Sequence, residues 1–475
     1  MTSVATGSGL NKRVLAITIG AALGGFLFGF DSSVINGAVS SIQDEFGLSE
    51  GLKGFAVASG LLGCALGAWF AGGLGDRWGR IRVMVISAVL FFVSAIGTGL
   101  AQGVWDLIAW RVIGGLAIGA ASVIAPAYIA EVAPAAFRGR LASLQQMAIV
   151  LGIFAALLSD QMLQGIAGGA AEELWLGLEA WRWMFIVGVV PALIYGWAAF
   201  KLPESPQYLV LKGRNADAER ILVTYTGETD PAGKIAKITA TRGEAKGTLS
   251  DLRGPRFGLK PIVWIGIIAS ALQQLVGINV IFYYSTTLWE SVGFSEDDAF
   301  LTSTITSVTN IVVTVVAILL VDKIGRRLLL LVGSAGMFVM LGLMAVAFST
   351  ATLDSEGVAQ MSDGWSRAAL IGANGFVVFF GASWGPVIWV LLGEMFPNSI
   401  RAVALAVAAA AQWIANFAVT MTFPPLADLS LSVAYGFYAF MSFVSFFFVW
   451  RKIKETKGKT LEEMTDTGLA PAVPA

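Results

Sequence analysis

Apolar residues in this chain come in long continuous runs, without the two-residue alternation of half-buried strands or the narrow stripe of a surface helix. Stretches close to the ~20 residues that carry a helix across a bilayer recur twelve times. They fall at 14–38, 54–75, 82–101, 105–130, 141–162 and 183–201, and then at 261–289, 299–321, 328–349, 368–393, 402–424 and 432–450. A hydrophilic stretch at 203–260 separates the two sets, and 451–475 forms a polar tail. The pattern predicts an all-α membrane protein of twelve transmembrane helices, with short helices in the intervening linker.

Two fragments recur at corresponding places in the two sets. "GDRWGR" (75–80) after the second span is answered by "VDKIGRR" (321–327) after the eighth. "EVAPAAFR" (131–138) after the fourth is answered by "EMFPNSIR" (394–401) after the tenth, with the same E-x-x-P-x-x-x-R spacing. The chain therefore divides into two six-span halves of parallel topology, 1–202 and 261–450. The spans also differ in kind. The third, sixth, ninth and twelfth carry almost no strong polar groups and read as lipid-facing. The first, fourth, seventh and tenth hold Gly or Pro beside polar side chains, in "GFDSS", "SVIAPAY", "QQLVGINV" and "SWGPVIW". Interrupted backbone is tolerated at membrane depth only where protein or a cavity surrounds it, so these four are expected to line a central pathway.

Composition agrees: 56% of residues are hydrophobic and 13% charged, with a mean hydropathy of +0.75. No basic segment with a small-residue cleavage site precedes the first span, which predicts a retained helix. Lysine and arginine set the orientation. With the N-terminus inside, Lys53, Arg182 and Arg367 fall outside and Arg111 within a span, leaving 27 of the 31 on the inner side. That bias places both termini in the cytoplasm. The net charge of −1 gives no support for a nucleic-acid partner. The single cysteine, Cys64, leaves no intrachain disulfide, and histidine is absent, so no metal site or cofactor is expected. Any proton moved near neutral pH must ride on a carboxylate. In the linker, "GETDPAGKI" has the wrong glycine spacing for a phosphate loop and Ile235 where a hydroxyl residue should follow the lysine.

Three groups of residues carry candidate chemistry. Asp31, within the first span, has one other deep charge to pair with, Arg111 in the fourth. A pair of this kind is either a fixed structural tie or a proton switch, and a charge inside a span favours function. An uncharged set consists of Gln146, Gln273, Gln274, Asn279, Asn310, Gln412 and Asn416, with Trp389 and Trp413 as aromatic faces. Amides both donate and accept, as sugar hydroxyls do, although each could equally serve as glue between helices. No spare deep charge remains for an ionic ligand, which points to a neutral polyhydroxylated one. The third set, Asp76, Arg80, Glu131, Arg138, Asp322, Arg326, Glu394 and Arg401, lies at cytoplasmic helix ends. The positive-inside rule does not call for the carboxylates, so ion pairs that hold and release a gate are expected.

These residues resemble the sugar porter family of the major facilitator superfamily over nearly the whole chain, about 16 to 464. The resemblance is carried by "GFLFGFDSSVINGA", "GDRWGR", "RVIGG", "YIAEVAPAAFRGRL", "PESPQYLV", "QQLVGINVIFYYS", "DKIGRR", "SWGPVIWVLLGEMFPNSIRA", "QWIANF" and "ETKGKTLEEM". It looks nearest to bacterial glucose transporters, with proton-coupled xylose porters close behind. The resemblance implies two pseudo-symmetric six-helix bundles, alternating access and a monosaccharide held at mid-membrane. Its sugar contacts would be Gln146, Gln273, Gln274, Asn279, Asn310, Trp389 and Gln412, with Trp413 and Asn416 close by. Proton-coupled members carry aspartate at the position of Asp31, where animal facilitative transporters carry asparagine. Gln207 departs from the family's usual arginine and Lys454 from its usual proline, both outside the spans. Gly381 stands where facilitative members have an acidic residue.

The expectation is a proton-coupled symporter importing a monosaccharide, D-glucose first, across a bacterial inner membrane as a multi-pass monomer in the lipid bilayer. The alternatives are a facilitative uniporter of the same fold and a transporter-like sugar sensor, and the alternative substrates are xylose, galactose and fructose. The missing histidines and the lack of a catalytic constellation argue against an enzyme.

Overall fold

The structure is a computed structural model that describes residues 12–133, 138–226, 228, 230–241, 248–353, 359–397 and 400–457. Among them are twelve helical segments long and apolar enough to cross a membrane. In the N-terminal half these are Lys12–Phe46, Glu50–Trp78, Arg80–Gly99, Val104–Val132, Leu144–Ala167 and Ala180–Lys201. In the C-terminal half they are Pro261–Glu290, Glu296–Val321, Arg326–Ser349, Asp363–Met395, Val403–Leu429 and Leu431–Lys452. Helices alone can satisfy every backbone group within a span, which is why apolar runs of this length fold no other way. Short helices at Pro206–Leu211, Asn215–Ile221 and Pro231–Thr241 lie in the linker, on what is called here the linker face. There the Asp230 carboxylate accepts the Gly233 N–H, capping a helix in the stretch that had the look of a defective phosphate loop.

Within the N-terminal half the second and fourth spans pack most closely. Built onto the glycines of "GLLGCALG" and "GGLAIG", Cβ atoms would meet backbone: Gly63 at 2.1 Å from the Val112 carbonyl oxygen, and Gly115 at 2.0 Å from that of Gly60. Small residues at this spacing let two helices touch main chain to main chain. Across the halves, the second span packs on the eleventh and the fifth on the eighth.

The interruptions resolve unevenly. The first span tightens to a 3₁₀ turn at Ile35–Ala38. The seventh breaks at Gly277, whose φ of +86° only glycine adopts easily, and the tenth at Ala382 and Ser383. The fourth corrects the expectation: Val104–Val132 is one continuous helix with Pro126 inside it. A break that the sequence did not announce lies in the sixth span, between Ile186 and Val189. The lipid-facing assignment of the third, sixth, ninth and twelfth spans agrees with their outward rows of large apolar side chains, such as Val89, Val93, Leu193, Trp197, Val332, Val339, Phe440 and Trp450.

Candidate functional site

The close packing of the second and fourth spans leaves room beside Gly60 for Arg111, which is 4% exposed and reaches the first span. Its Nη1 lies 3.4 Å from Asp31 Oδ1 and donates to the Asp31 carbonyl oxygen at 3.3 Å. The guanidinium also sits 5.9 Å from the Phe185 ring centroid. The pair opens onto a small cavity lined by Phe28, Ser32, Cys64 and, from the C-terminal half, Tyr283. Asp31, 15% exposed, is thus the less buried member of the pair, and it touches a cavity that both halves line.

Tyr283 leads to the amides. Its hydroxyl faces the Asn416 side chain. Asn279 Nδ2 donates to Gln274 Oε1 at 2.6 Å and to Asn416 Oδ1 at 2.8 Å. The break at Gly277 is what makes this possible, because it turns Asn279 back toward Gln274, five residues earlier. Gln273 Nε2 donates to the Trp384 carbonyl at 2.8 Å, on the tenth span's own break, which leaves Gln273 Oε1 buried without a partner. Gln412 Oε1 is buried and unpartnered as well. Trp413 stacks edge-on to Phe28 of the cavity, with centroids 5.7 Å apart. Asn310 lies against Gly381, 3.3 Å from where a Cβ would stand. Among the described residues no hydrogen bond joins Gln146, Trp389 or Gln412 to the Asn279 cluster; Gln146 and Gln412 are half-buried and Trp389 is 42% exposed.

At the linker face the repeated charges pair within each half. Arg80 forks onto Glu131 at 2.8 to 3.2 Å and also meets Asp76 at 3.1 Å. Arg326 forks onto Glu394 at 2.8 and 3.1 Å. Arg401 donates to the Phe396 carbonyl. The side chains of Arg138 and Asp322 lie outside the described residues. Two members escaped the sequence reading. Glu204 takes the Arg80 N–H and Glu455 takes those of Arg326 and Arg327, while Ser205 donates to Glu131 and Thr456 to Glu394. Gly79 and Gly325, with φ of +100° and +101°, turn the chain so that these carboxylates fit. The signal was a Glu followed by a hydroxyl residue shortly after the last span of each half, in "PESP" and "KETKG". Burial opposes the charge of Glu455, but backbone N–H groups of Lys457, Arg326, Arg327 and Thr456 outweigh it and hold its carboxyl below the usual range.

The hydrogen bonds that cross between halves are at the opposite, far face. Asn36 Nδ2 donates to Ser285 Oγ at 2.8 Å and Asn36 Oδ1 accepts the Thr286 N–H at 3.0 Å. Ser40 donates to Glu290, and Gln164 to Asp297, both at 2.9 Å. A further correction concerns the count of deep charges. Asp160, in the fifth span, is fully buried, so Arg111 is not the only deep ionisable group besides Asp31. Its place two residues from the predicted span end, where charges are ordinary flank, concealed it.

Twelve spans in two matched halves, closed at one face and folded around a shared polar centre, define a multi-pass membrane carrier. The model of the family described as "Sugar (and other) transporter" matches residues 17–467. The chain is 55% identical to the "Glucose transport protein" of Synechocystis, over 95% of this chain and 97% of that one. It is 38% identical to the D-xylose-proton symporter of Escherichia coli, over 96% and 95% respectively. Among solved structures, an inward open conformation of the Escherichia coli xylose transporter superposes with a TM-score of 0.79 at 35% identity, covering 95% of this chain and 99% of that one. The same transporter bound to 6-bromo-6-deoxy-D-glucose gives 0.78 at 37% identity, covering 96% and 99%. The chain belongs to the sugar porter family of the major facilitator superfamily, and it is a sugar transporter, not an enzyme.

Proposed function

We propose that the protein is a proton-coupled symporter that imports D-glucose through a bacterial inner membrane, with the linker face cytoplasmic. The observation that carries the reading is the Asp31 and Arg111 pair at a cavity that Tyr283 connects to the amide cluster. The pair ties the first span to the fourth; a carboxyl that is moved from Arg111, or protonated, no longer holds it. A proton arriving at Asp31 loosens the pair, and the freed first and fourth spans allow the sugar-loaded halves to rock. The amides supply the sugar's partners. Gln273 Oε1 and Gln412 Oε1 are acceptors awaiting hydroxyl donors, and Asn279, with both amide hydrogens engaged, offers its own carbonyl oxygen. Gln146, Gln274, Asn310, Asn416, Trp389 and Trp413 complete the proposed sugar site, in which the tryptophans face the less polar side of the ring. The paired charges at the linker face serve as the cytoplasmic gate, each pair stiffening one half so that it moves as a body. Glucose is favoured over xylose by the identity to the Synechocystis glucose transport protein.

The test is glucose uptake by proteoliposomes with and without an inward proton gradient, for the native chain and Asp31→Asn. Accumulation above equilibrium in the native chain, with only equilibration in the variant, supports the reading. Equilibration by both would make the protein a uniporter, and no flux of any monosaccharide would favour a sensor.

A further inference from the structure

Asp160 is the buried acid that the transport mechanism above leaves unused. It is 0% exposed, and neither carboxyl oxygen has a hydrogen-bond partner. It stands at the far-face seam between the halves. A Cβ on Gly37 would lie 2.9 Å each from Asp160 Cβ, Met184 Sδ and a ring carbon of Phe300, so residues of the first, fifth and sixth spans meet the eighth at this point. The Gly37 N–H is the polar group that faces it.

Among the described residues no charged group of the surrounding elements pairs with Asp160. Arg182, on the sixth span, is held by Glu45 and Glu179. On the eighth span, Asp297 accepts from Gln164 and Glu296 accepts the Ala170 N–H. Glu290 of the seventh accepts from Ser40. Glu290 and Glu296, with Asp44 and Glu172, line an open vestibule on the far face, and Gly37 and Phe300 form its inner wall. Asp160 is therefore one residue's thickness from water, behind two residues that belong to opposite halves.

An ionised carboxylate without cation or donor is among the costliest groups to bury, whereas a carboxylic acid is tolerated. The seam as built suits the acid. When the halves part between Gly37 and Phe300, vestibule water reaches the group and can solvate the anion. We propose that Asp160 is a second proton-binding site: its carboxyl takes a proton from the vestibule as the far face closes and returns it there as the face opens. The O–H bond forms and breaks against vestibule water, and no other reactant is needed. Closing the far face then consumes an external proton, so external acid favours the closed state. The proposal shares with the proposed function the rocking of the halves and the far face as the outside, but not Asp31 as the coupling group.

The experiment uses the full chain in lipid nanodiscs carrying Asp31→Asn, which removes the other candidate proton carrier. Leu176→Cys and Leu429→Cys, exposed on opposite halves at the far face, carry spin labels in a Cys64→Ala background, because Cys64 lines the shared cavity. The expected result is a closed-to-open ratio that falls with rising pH by up to about tenfold per unit, the slope for one proton. Adding Asp160→Asn, or Asp160→Ala as the second variant, flattens the slope. The infrared band of a protonated carboxyl, present in the closed state, disappears with the same substitution. A pH-independent ratio in the Asp31→Asn chain, or a slope and band that survive the loss of Asp160, overturns the proposal. Neither outcome bears on whether a gradient drives glucose uptake by the native chain, which the proteoliposome assay decides separately.

Discussion

Asn279→Ala tests the amide cluster most directly. In the native chain both hydrogens of the Asn279 amide are committed, at 2.6 Å to Gln274 and 2.8 Å to Asn416. The substitution removes one acceptor offered to the sugar, worth roughly 0.5–1.5 kcal/mol as a neutral hydrogen bond. It also frees Gln274 Oε1, a buried acceptor costing about 1–3 kcal/mol when unsatisfied, while Asn416 Oδ1 keeps the Thr420 hydroxyl at 3.2 Å. Part of that second cost falls on stability, because the amides can turn toward one another or take in water. The share that falls on binding comes from Gln274, no longer held in place. Together these predict a loss of roughly 1.5–3 kcal/mol in glucose affinity, or about 10- to 150-fold in Kd. Isothermal titration of the detergent-solubilised protein reads the affinity, and a thermal melt beside it shows that the variant is folded. A folded Asn279→Ala protein whose Kd stays within about twofold of native would refute the assignment and leave the cluster as helix-to-helix glue.

Two further outcomes follow from the same geometry. Gly54→Leu puts a side chain where a Cβ already stands 2.2 Å from the Met421 carbonyl oxygen, at the far-face end of the contact between the second and eleventh spans. Overpacking of about 1–3 kcal/mol against the closed face should cut glucose exchange roughly 5- to 150-fold while sugar still binds from that side; exchange at the native rate would show that this contact opens and closes without consequence. For Glu455, whose carboxyl is held below its usual value, the stabilisation is full above 4.5 and is lost as the pH falls through the lowered value. The melting-temperature gap between native and Glu455→Gln should accordingly be constant near neutrality and shrink in acid, and a gap that does not narrow would mean that the four N–H bonds do not act through the charge.

Span number, the two-half repeat and the identity of the chemical groups are all legible in the sequence, because each follows from local composition. A bilayer admits one backbone solution for an apolar run, so counting runs counts helices. A lone aspartate in such a run stands out, and repeated "GDRWGR" and "VDKIGRR" mark equivalent turns whose glycines share one positive φ. The glycine in "QQLVGINV" announced the break at Gly277, across which Gln274 and Asn279 meet. Long-range assembly decided what remained. Pro126 could not say whether the helix would break or run on past the carbonyl it frees, and the span is continuous. Glu204 and Glu455 lie far from their partners along the chain and read as ordinary polar flank until folding brings them onto Arg80 and Arg326. Asp160 is the clearest case. Near a span's end a carboxylate is unremarked if it reaches water and exceptional if it does not, and only the packing of Gly37, Met184 and Phe300 around it settles which. The chain's composition determined that it crosses the membrane twelve times around polar groups; which of those groups are dry, paired or open to a cavity depends on surfaces contributed by spans hundreds of residues apart, and that only the tertiary structure decides.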